Sequence, residues 1–203
     1  VGRDSRLSGE ALEKALVEGL AAQQVTIVRC SLATTPAMFM GTVFEETNFD
    51  GSIMITASHL PFNRNGFKFF DKSGGLEHSD ITELLRLAAA QQIAAAGPVT
   101  AGQNCTPKCR SFDLIARYSD HLRSAILSGL NFQSEKPLAH LKIAVDAGNG
   151  AGGFFAEQVL KELGADTSGS RFLDPDGTFP NHIPNPENKA AMEAAKTATV
   201  QSR

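Results

Sequence analysis

Ile53-Met54-Ile55-Thr56-Ala57-Ser58-His59-Leu60-Pro61, followed by Phe62-Asn63-Arg64-Asn65-Gly66-Phe67-Lys68, is the stretch that decides how the rest of this chain is read. The apolar run Ile53-Met54-Ile55 predicts a buried strand. The chain turns polar at Thr56, and Pro61, Asn63, Asn65 and Gly66 forbid a helix directly afterwards. Ser58 is therefore expected on a loop at the C-terminal end of a strand, which in open α/β sheets is where ligands bind. An imidazole follows at His59, and Lys68 stands where a returning loop can bring it alongside.

A Ser-His pair by itself reads most simply as two turn residues. Thr-Ala-Ser-His-x-Pro followed by Asn-Gly-Phe-Lys is more restrictive. It resembles the phosphoserine loop of the α-D-phosphohexomutases, the phosphoglucomutase and phosphomannomutase superfamily. The resemblance implies that Ser58 carries a phosphoryl group, as phosphoserine, and exchanges it with a sugar phosphate. His59 and Lys68 match positions that contact the reacting phosphoryl group and assist proton transfer; for Lys68 that role calls for burial or a neighbouring cation. Asn65 and Gly66 fall in the substrate neighbourhood. Magnesium is implied on the serine phosphate through Ser58, with its remaining ligands outside this chain. A hexose phosphate substrate and a glucose 1,6-bisphosphate-type activator are implied as partners. The chain departs from the family at Leu60, where Asn is usual; leucine neither donates nor accepts a hydrogen bond.

Upstream, Gly2-Arg3-Asp4-Ser5-Arg6-Leu7-Ser8-Gly9 also resembles the first domain of that superfamily. Arg3 and Arg6 are candidates to meet a phosphate, and are read in preference as structural ion pairs with Asp4 and nearby carboxylates. Ser8 is the expected N-cap of a helix whose start Glu10 and Glu13 complement, with Leu12, Leu16 and Leu20 on one stripe. Val25 to Val28 reads as the next strand of a βαβ unit. Thr34 is expected to cap a short helix in which Met38 and Met40 fill core. Downstream, Phe67 to Phe70 reads as a strand and Asp71 to Gly75 as a turn. Asp80 to Ala95 reads as a helix with Ile81, Leu84, Leu85 and Ala88 on one side. Gly97 to Lys108 is an aperiodic loop or linker, and Leu114 to Leu130 a helix striped by Tyr118, Leu122, Ile126 and Leu130.

A second unit then repeats the pattern: strand Leu141 to Val145, a glycine turn, helix Phe154 to Leu163. Gly148-Asn149-Gly150-Ala151-Gly152-Gly153 satisfies G-x-G-x-x-G, with Asp174 at about the right distance to hold a ribose hydroxyl. Against nicotinamide binding, Asp146 would face the pyrophosphate, and the next strand, Thr167 to Leu173, is broken by Gly169 and contains Arg171. The glycines are read as a tight turn with close helix-to-strand contact. Asp146-Ala147-Gly148-Asn149-Gly150, and the loop Asp176-Gly177-Thr178-Phe179-Pro180-Asn181-His182-Ile183-Pro184, again resemble the phosphohexomutases. His182 is read as a satisfied loop histidine because no carboxylate pair accompanies it. Asn185 is expected to cap a last helix, Glu187 to about Val200, with Pro186 at its first position.

The expected fold class is α/β: two three-layer α/β/α domains with mixed sheets. The first spans residues 1–112 and carries the serine loop; the second spans 113–203. The resemblance implies a chain truncated at both ends of a four-domain architecture, lacking its opening strand and stopping before the aspartate-rich metal loop. Such a fragment is expected to be inactive alone. The 203 residues are 42% hydrophobic and 20% charged, with a net charge of −3 and no basic tract. That composition favours neither nucleic acid nor an anionic membrane, and no apolar run approaches the roughly 20 residues that span a bilayer. A soluble intracellular protein of cytoplasm or plastid is expected. Three cysteines do not suggest a disulfide framework; Cys105 and Cys109 are read as loop thiols rather than a zinc site. The mutase reading is an intramolecular phosphotransferase acting between hexose 1- and 6-phosphates through a bisphosphorylated sugar. Its rivals are a non-catalytic sugar-phosphate-binding protein of the same fold and a nicotinamide oxidoreductase.

Overall fold

The computed structural model describes residues 1–23, 25–94, 108–130 and 134–201. Ser52–Ile55 does form a strand, here β4, because Met54 and Ile55 bury their side chains in the core. It lies in a mixed five-stranded sheet of order β3-β1-β4-β5-β6. In that sheet β1 (Gly2–Arg3) runs parallel to both β3 (Ser31–Leu32) and β4. The return strand β5 (Phe67–Asp71) is antiparallel to β4, with Lys68 opposite Met54, and β6 (Gly74–Gly75) closes the edge. The βαβ unit is real, but its second strand is β3. Residues 27–29 form β2 (Ile27–Arg29), which pairs instead with β7 (Cys109–Ser111) in a separate two-stranded sheet. Ser31, with φ of 52°, makes the bend that passes the chain from one sheet to the other.

Helix α1 (Gly9–Ala21) departs from expectation at its start. Ser8 makes no side-chain cap; its Oγ accepts a hydrogen bond from Asn65 Nδ2 at 3.0 Å. Glu13 does not serve the helix start either. It is 2% exposed, and its carboxylate accepts bonds from Arg3 Nε at 3.2 Å and Arg29 Nε at 2.7 Å. Helix α2 (Thr35–Val43) follows the reading: Thr34 Oγ1 accepts from Ala37 N, Met38 is buried, and Met40 packs against the same core. Helix α3 (His78–Ala94) forms, yet its apolar stripe does not enter the core; Leu84, Leu85 and Leu87 are exposed, Leu85 by 66%. Position 95 of that helix and 97–107 of the expected linker lie outside the described residues, as does Cys105; Cys109 opens β7 rather than sitting in a loop.

Helix α4 (Leu114–Leu130) joins two hydrophobic cores. Its first turns put Leu114, Ile115 and Tyr118 against Ala37, Met38 and Met54. Its later turns put Leu122, Ile126 and Leu127 against Val159, Leu160 and Leu163. Leu130, expected to extend the stripe, is exposed. In the second unit the strand expected over Leu141 to Val145 is reduced to parallel bridges, Lys142 with Asp166 and Asp146 with Arg171. Between them the partner segment turns at Thr167 to Ser170, around the glycine at 169, and Ser170 Oγ takes the Val145 N–H in place of a backbone carbonyl. The helix after the glycine turn contains a π-helical stretch, Phe155–Leu160, with Lys161 N donating to Ala156 O. The last helix, α5 (Lys189–Gln201), begins later than expected. Its cap is Asn188, whose Oδ1 accepts from Ala190 N and Ala191 N, while Asn185 Oδ1 accepts from Glu187 N in the preceding turn.

Candidate functional site

Where β4 ends, two backbone bonds form the neck of a loop. Asp4 N donates to Ile55 O at 3.0 Å, and Thr56 N donates to Gly66 O at 2.9 Å. Between these points the chain makes its excursion through Ser58. The Ser58 N–H is taken by Thr56 Oγ1 at 2.9 Å, a local side-chain turn that threonine and serine favour. The Thr56 hydroxyl in turn donates to Asp4 Oδ2 at 2.7 Å. Asp4 Oδ1 accepts Arg6 N at 3.0 Å, and its Oδ2 accepts Arg6 Nε at 3.1 Å. The remaining guanidinium donors point into the loop: Nη1 to the carbonyls of Pro61 and Arg64, Nη2 to those of Ser58 and Leu60. The result is an exposed serine on left-handed backbone, φ 53°, at the end of a buried strand.

The candidate residues scatter around this loop in different roles. His59 and Lys68 are exposed, and neither side chain makes a hydrogen bond or ion pair among the described residues, so the burial named as one of two supports for Lys68's proton-transfer role is not found here. Asn65 ties the loop down: its Nδ2 donates to Ser8 Oγ and its Oδ1 accepts from Gly66 N at 2.9 Å. Gly66 supplies the carbonyl of the neck. Arg3 pairs with Glu10 at 2.7 Å and with the buried Glu13, away from the serine. Arg6 is 1% exposed, and each of its donors is used inside the protein. Leu60 contributes to the loop through its main chain, N to Ala57 O and O to Arg6, so a leucine there leaves the loop's construction intact.

The second unit faces the loop across a cavity of about 550 Å³ lined by Asp4, Thr34, Thr56 and Ser58 on one side and Asp146 and His182 on the other. Gly177 presses on the backbone of Ser5 to Leu7; a Cβ there would lie 2.3 Å from Ser5 O. Ser5 Oγ donates to Asn149 O at 3.0 Å, and Phe179 sets its ring over the Arg6 guanidinium at 5.3 Å. Asn149, with φ of 59°, ties the two loops of the second unit together through Asp174 O and Asn181. The glycine turn is built for contact as expected: Gly148 sits at φ 52°, and a Cβ on Gly153 would lie 2.0 Å from Leu173 O.

His182 is a satisfied loop histidine, as the sequence suggests, but one of its partners is a carboxylate, which the sequence reading does not anticipate. Its Nε2 lies 3.0 Å from Asp146 Oδ1 and its Nδ1 lies 3.0 Å from Ile183 O. Both partners only accept, so both contacts are hydrogen bonds when both ring nitrogens carry protons. Burial works against that cation, but the Ile183 carbonyl and the Asp146 carboxylate outweigh it and hold the imidazole above its ordinary value. Asp146 Oδ2 is buried with no donor among the described residues, and a proton on both nitrogens of His182 would offset its charge.

Sequence reasoning missed Asp4 and Thr56 as loop builders. Their signals are short-range: an Asp two residues before Arg6 and a Thr two before Ser58, the spacings at which such side chains take backbone N–H groups.

Comparison with known proteins decides the kinship. The model of phosphoglucomutase/phosphomannomutase alpha/beta/alpha domain I matches residues 1–94, and that of domain II matches residues 116–203, in the same order. The chain belongs to the phosphoglucomutase/phosphomannomutase family. Among curated relatives, a phosphoglucomutase of Neisseria meningitidis is 34% identical over 193 residues, covering 95% of this chain and 38% of the relative. A phosphoglucosamine mutase of Sulfurovum is 33% identical, covering 98% of this chain and 44% of the relative. A phosphomannomutase of Escherichia coli is 33% identical, covering 92% and 39%. A solved structure of a phosphoglucomutase/phosphomannomutase family protein from Burkholderia thailandensis superposes with a TM-score of 0.74 at 28% identity, over 96% of this chain and 40% of that one. The chain thus spans about two fifths of the relatives it matches.

Within this part of the phosphoglucomutase/phosphomannomutase fold, domain I carries the serine loop and domain II the Asp146–His182 pair. The residues present do not make a magnesium site by themselves. Magnesium wants near-octahedral oxygen coordination, whereas the Asp4 oxygens already accept from Arg6 and Thr56, and Asp146 Oδ1 accepts from Gly148 N and His182. Among the described residues no three His, Cys, Asp or Glu side chains cluster for a metal. Among them, too, no helix is long and apolar enough to cross a membrane.

Proposed function

We propose that the complete protein is a phosphohexomutase, an intramolecular phosphotransferase that interconverts hexose or hexosamine 1-phosphate and 6-phosphate through phosphorylated Ser58. The observation that carries this reading is the placement of Ser58, on an exposed left-handed turn at the end of β4, in the cavity shared by domains I and II. The names of the relatives, which act on glucose, glucosamine and mannose phosphates, support the substrate class.

In this reading a sugar hydroxyl attacks the phosphorus of phosphoserine 58, the P–Oγ bond breaks, and the Ser58 oxygen leaves with the electron pair. The hydroxyl loses its proton in the same step, and Lys68 and His59 are the groups assigned to take it and to return a proton to the serine oxygen. The bisphosphorylated sugar then reorients and returns its other phosphoryl group to Ser58. A glucose 1,6-bisphosphate-type activator is assigned the first phosphorylation of Ser58. A phosphoserine brings about −1.5 to −2 of charge to the loop. Lys68 enters the step as the neutral amine; once it carries the hydroxyl proton its ammonium, which has no partner among the described residues, is free to face the phosphoryl group. No step is routed through magnesium, for which this chain's own donors do not suffice.

Ser58→Ala in the complete protein tests the proposal. Turnover of glucose, glucosamine and mannose phosphates falls by at least about 10³-fold if covalent transfer is lost, with the fold unchanged because an exposed hydroxyl is removed. Wild-type turnover in that variant would remove Ser58 from the reaction. The non-catalytic reading predicts no turnover in either protein and unchanged sugar-phosphate binding.

A further inference from the structure

We infer that Arg6 is a positioning residue that holds the Ser58 loop in its working shape from beneath, without touching the transferred group; this rests on the reading of Ser58 as the phosphoryl carrier. Arginine offers five N–H donors in a rigid planar fork, and here all five are used. One meets Asp4, and four meet the carbonyls of Ser58, Leu60, Pro61 and Arg64, at 2.6 to 3.0 Å. Four carbonyl dipoles turned toward one point repel one another unless a cation stands there. The guanidinium is fully buried, so water cannot replace it. Its own place is fixed on the far side, where the Phe179 ring covers it and Gly177 packs against the backbone of Ser5 to Leu7.

The consequence falls on Ser58. Its carbonyl is pinned by Arg6 Nη2, and its N–H by Thr56, itself held by Asp4, the carboxylate that Arg6 engages. Two fixed peptide groups leave the residue on left-handed backbone, φ 53°, a conformation serine holds only when its surroundings demand it. Arg6 therefore acts on Oγ through the main chain, and it has no donor left for a substrate phosphate. Lysine cannot replace it: an ammonium has three donors and leaves two of the five acceptors unpaired.

The test uses the complete protein and the variants Arg6→Ala, Arg6→Lys and Ser58→Ala, with glucose 1,6-bisphosphate as phosphoryl donor. Phosphoryl uptake at Ser58 is followed by intact mass, and amide hydrogen exchange is followed across residues 57–66. Arg6→Ala is expected to slow uptake by about 10²-fold, the cost of misplacing a reacting group by about 1 Å, with lost protection confined to 57–66. Millimolar guanidinium ion, but not methylammonium, restores both, while Ser58→Ala stays inert throughout. Uptake within threefold of wild type, or slow uptake with protection lost throughout the sheet and no guanidinium rescue, overturns the inference. Should Arg6→Ala not fold, Arg6→Lys carries the test. It is expected to slow uptake at least about tenfold while the sheet amides stay protected, and a wild-type rate overturns the inference. If wild type takes up no phosphoryl group, the carrier reading fails by itself. The exchange pattern of Arg6→Lys then decides whether Arg6 shapes the loop: loss confined to 57–66 upholds that role, and no loss refutes it.

Discussion

Lys68 is a cation without a partner among the described residues, one strand away from a serine assigned a dianionic phosphate. If it moves the hydroxyl proton, Lys68→Met in the complete protein lowers turnover by about 10²- to 10⁴-fold, the range for a lost general acid or base. A solvated strand lysine predicts a change below about threefold, and a steady-state assay separates the two. At this scale the sequence is partly legible. Ser58, His59 and Lys68 stand within one short stretch, so their grouping is plain from residue order alone. The support of Ser58 by Arg6 is not, because it runs through carbonyls that every residue possesses, more than 50 positions along the chain. Residue types and spacing announce the Arg6–Asp4 pair; they say nothing of what the rest of the guanidinium does.

Among the elements, the loop of residues 174–187 shows the same limit and supports a pH prediction. Its histidine meets Asp146 across 36 positions, a contact no periodicity announces. Because the folded-state pKa of His182 lies above its ordinary value of about 6.5, its contribution to stability is complete below that value. It is lost as pH rises through the raised one. The melting temperature of the complete protein should therefore fall between pH 6 and pH 9 by more in the wild type than in His182→Gln. Parallel curves would show that His182 is not held as a cation. Helices are legible where apolar spacing and packing agree, as in α4. For α3 spacing marks the helix but not its burial, because periodicity records which residues share a face and not what covers them. Strand pairing is less legible still: β2 and β3 are adjacent in sequence, yet a single left-handed Ser31 sends them to different sheets.

For the whole molecule, α4 ties the two units into one framework, and the cavity lies where their loops meet. That framework covers 38 to 44% of the curated relatives quoted above, and its described residues hold no completed set of metal donors. Residues 1–203 alone are therefore expected to bind magnesium weakly and to show no mutase turnover. Positioning of the substrate by itself supplies about 7–11 kcal/mol of a barrier. A coupled assay with magnesium and glucose 1,6-bisphosphate checks this; turnover that disappears in Ser58→Ala would contradict it.

The central claim is that Ser58 carries the phosphoryl group, and intact-mass measurement of the complete native protein addresses it most directly. The account predicts one added phosphoryl mass that maps to the peptide containing Ser58, that is removed on incubation with hexose monophosphate and that is absent from Ser58→Ala. A protein that stays unmodified even after incubation with glucose 1,6-bisphosphate, or an adduct that maps elsewhere, would contradict it.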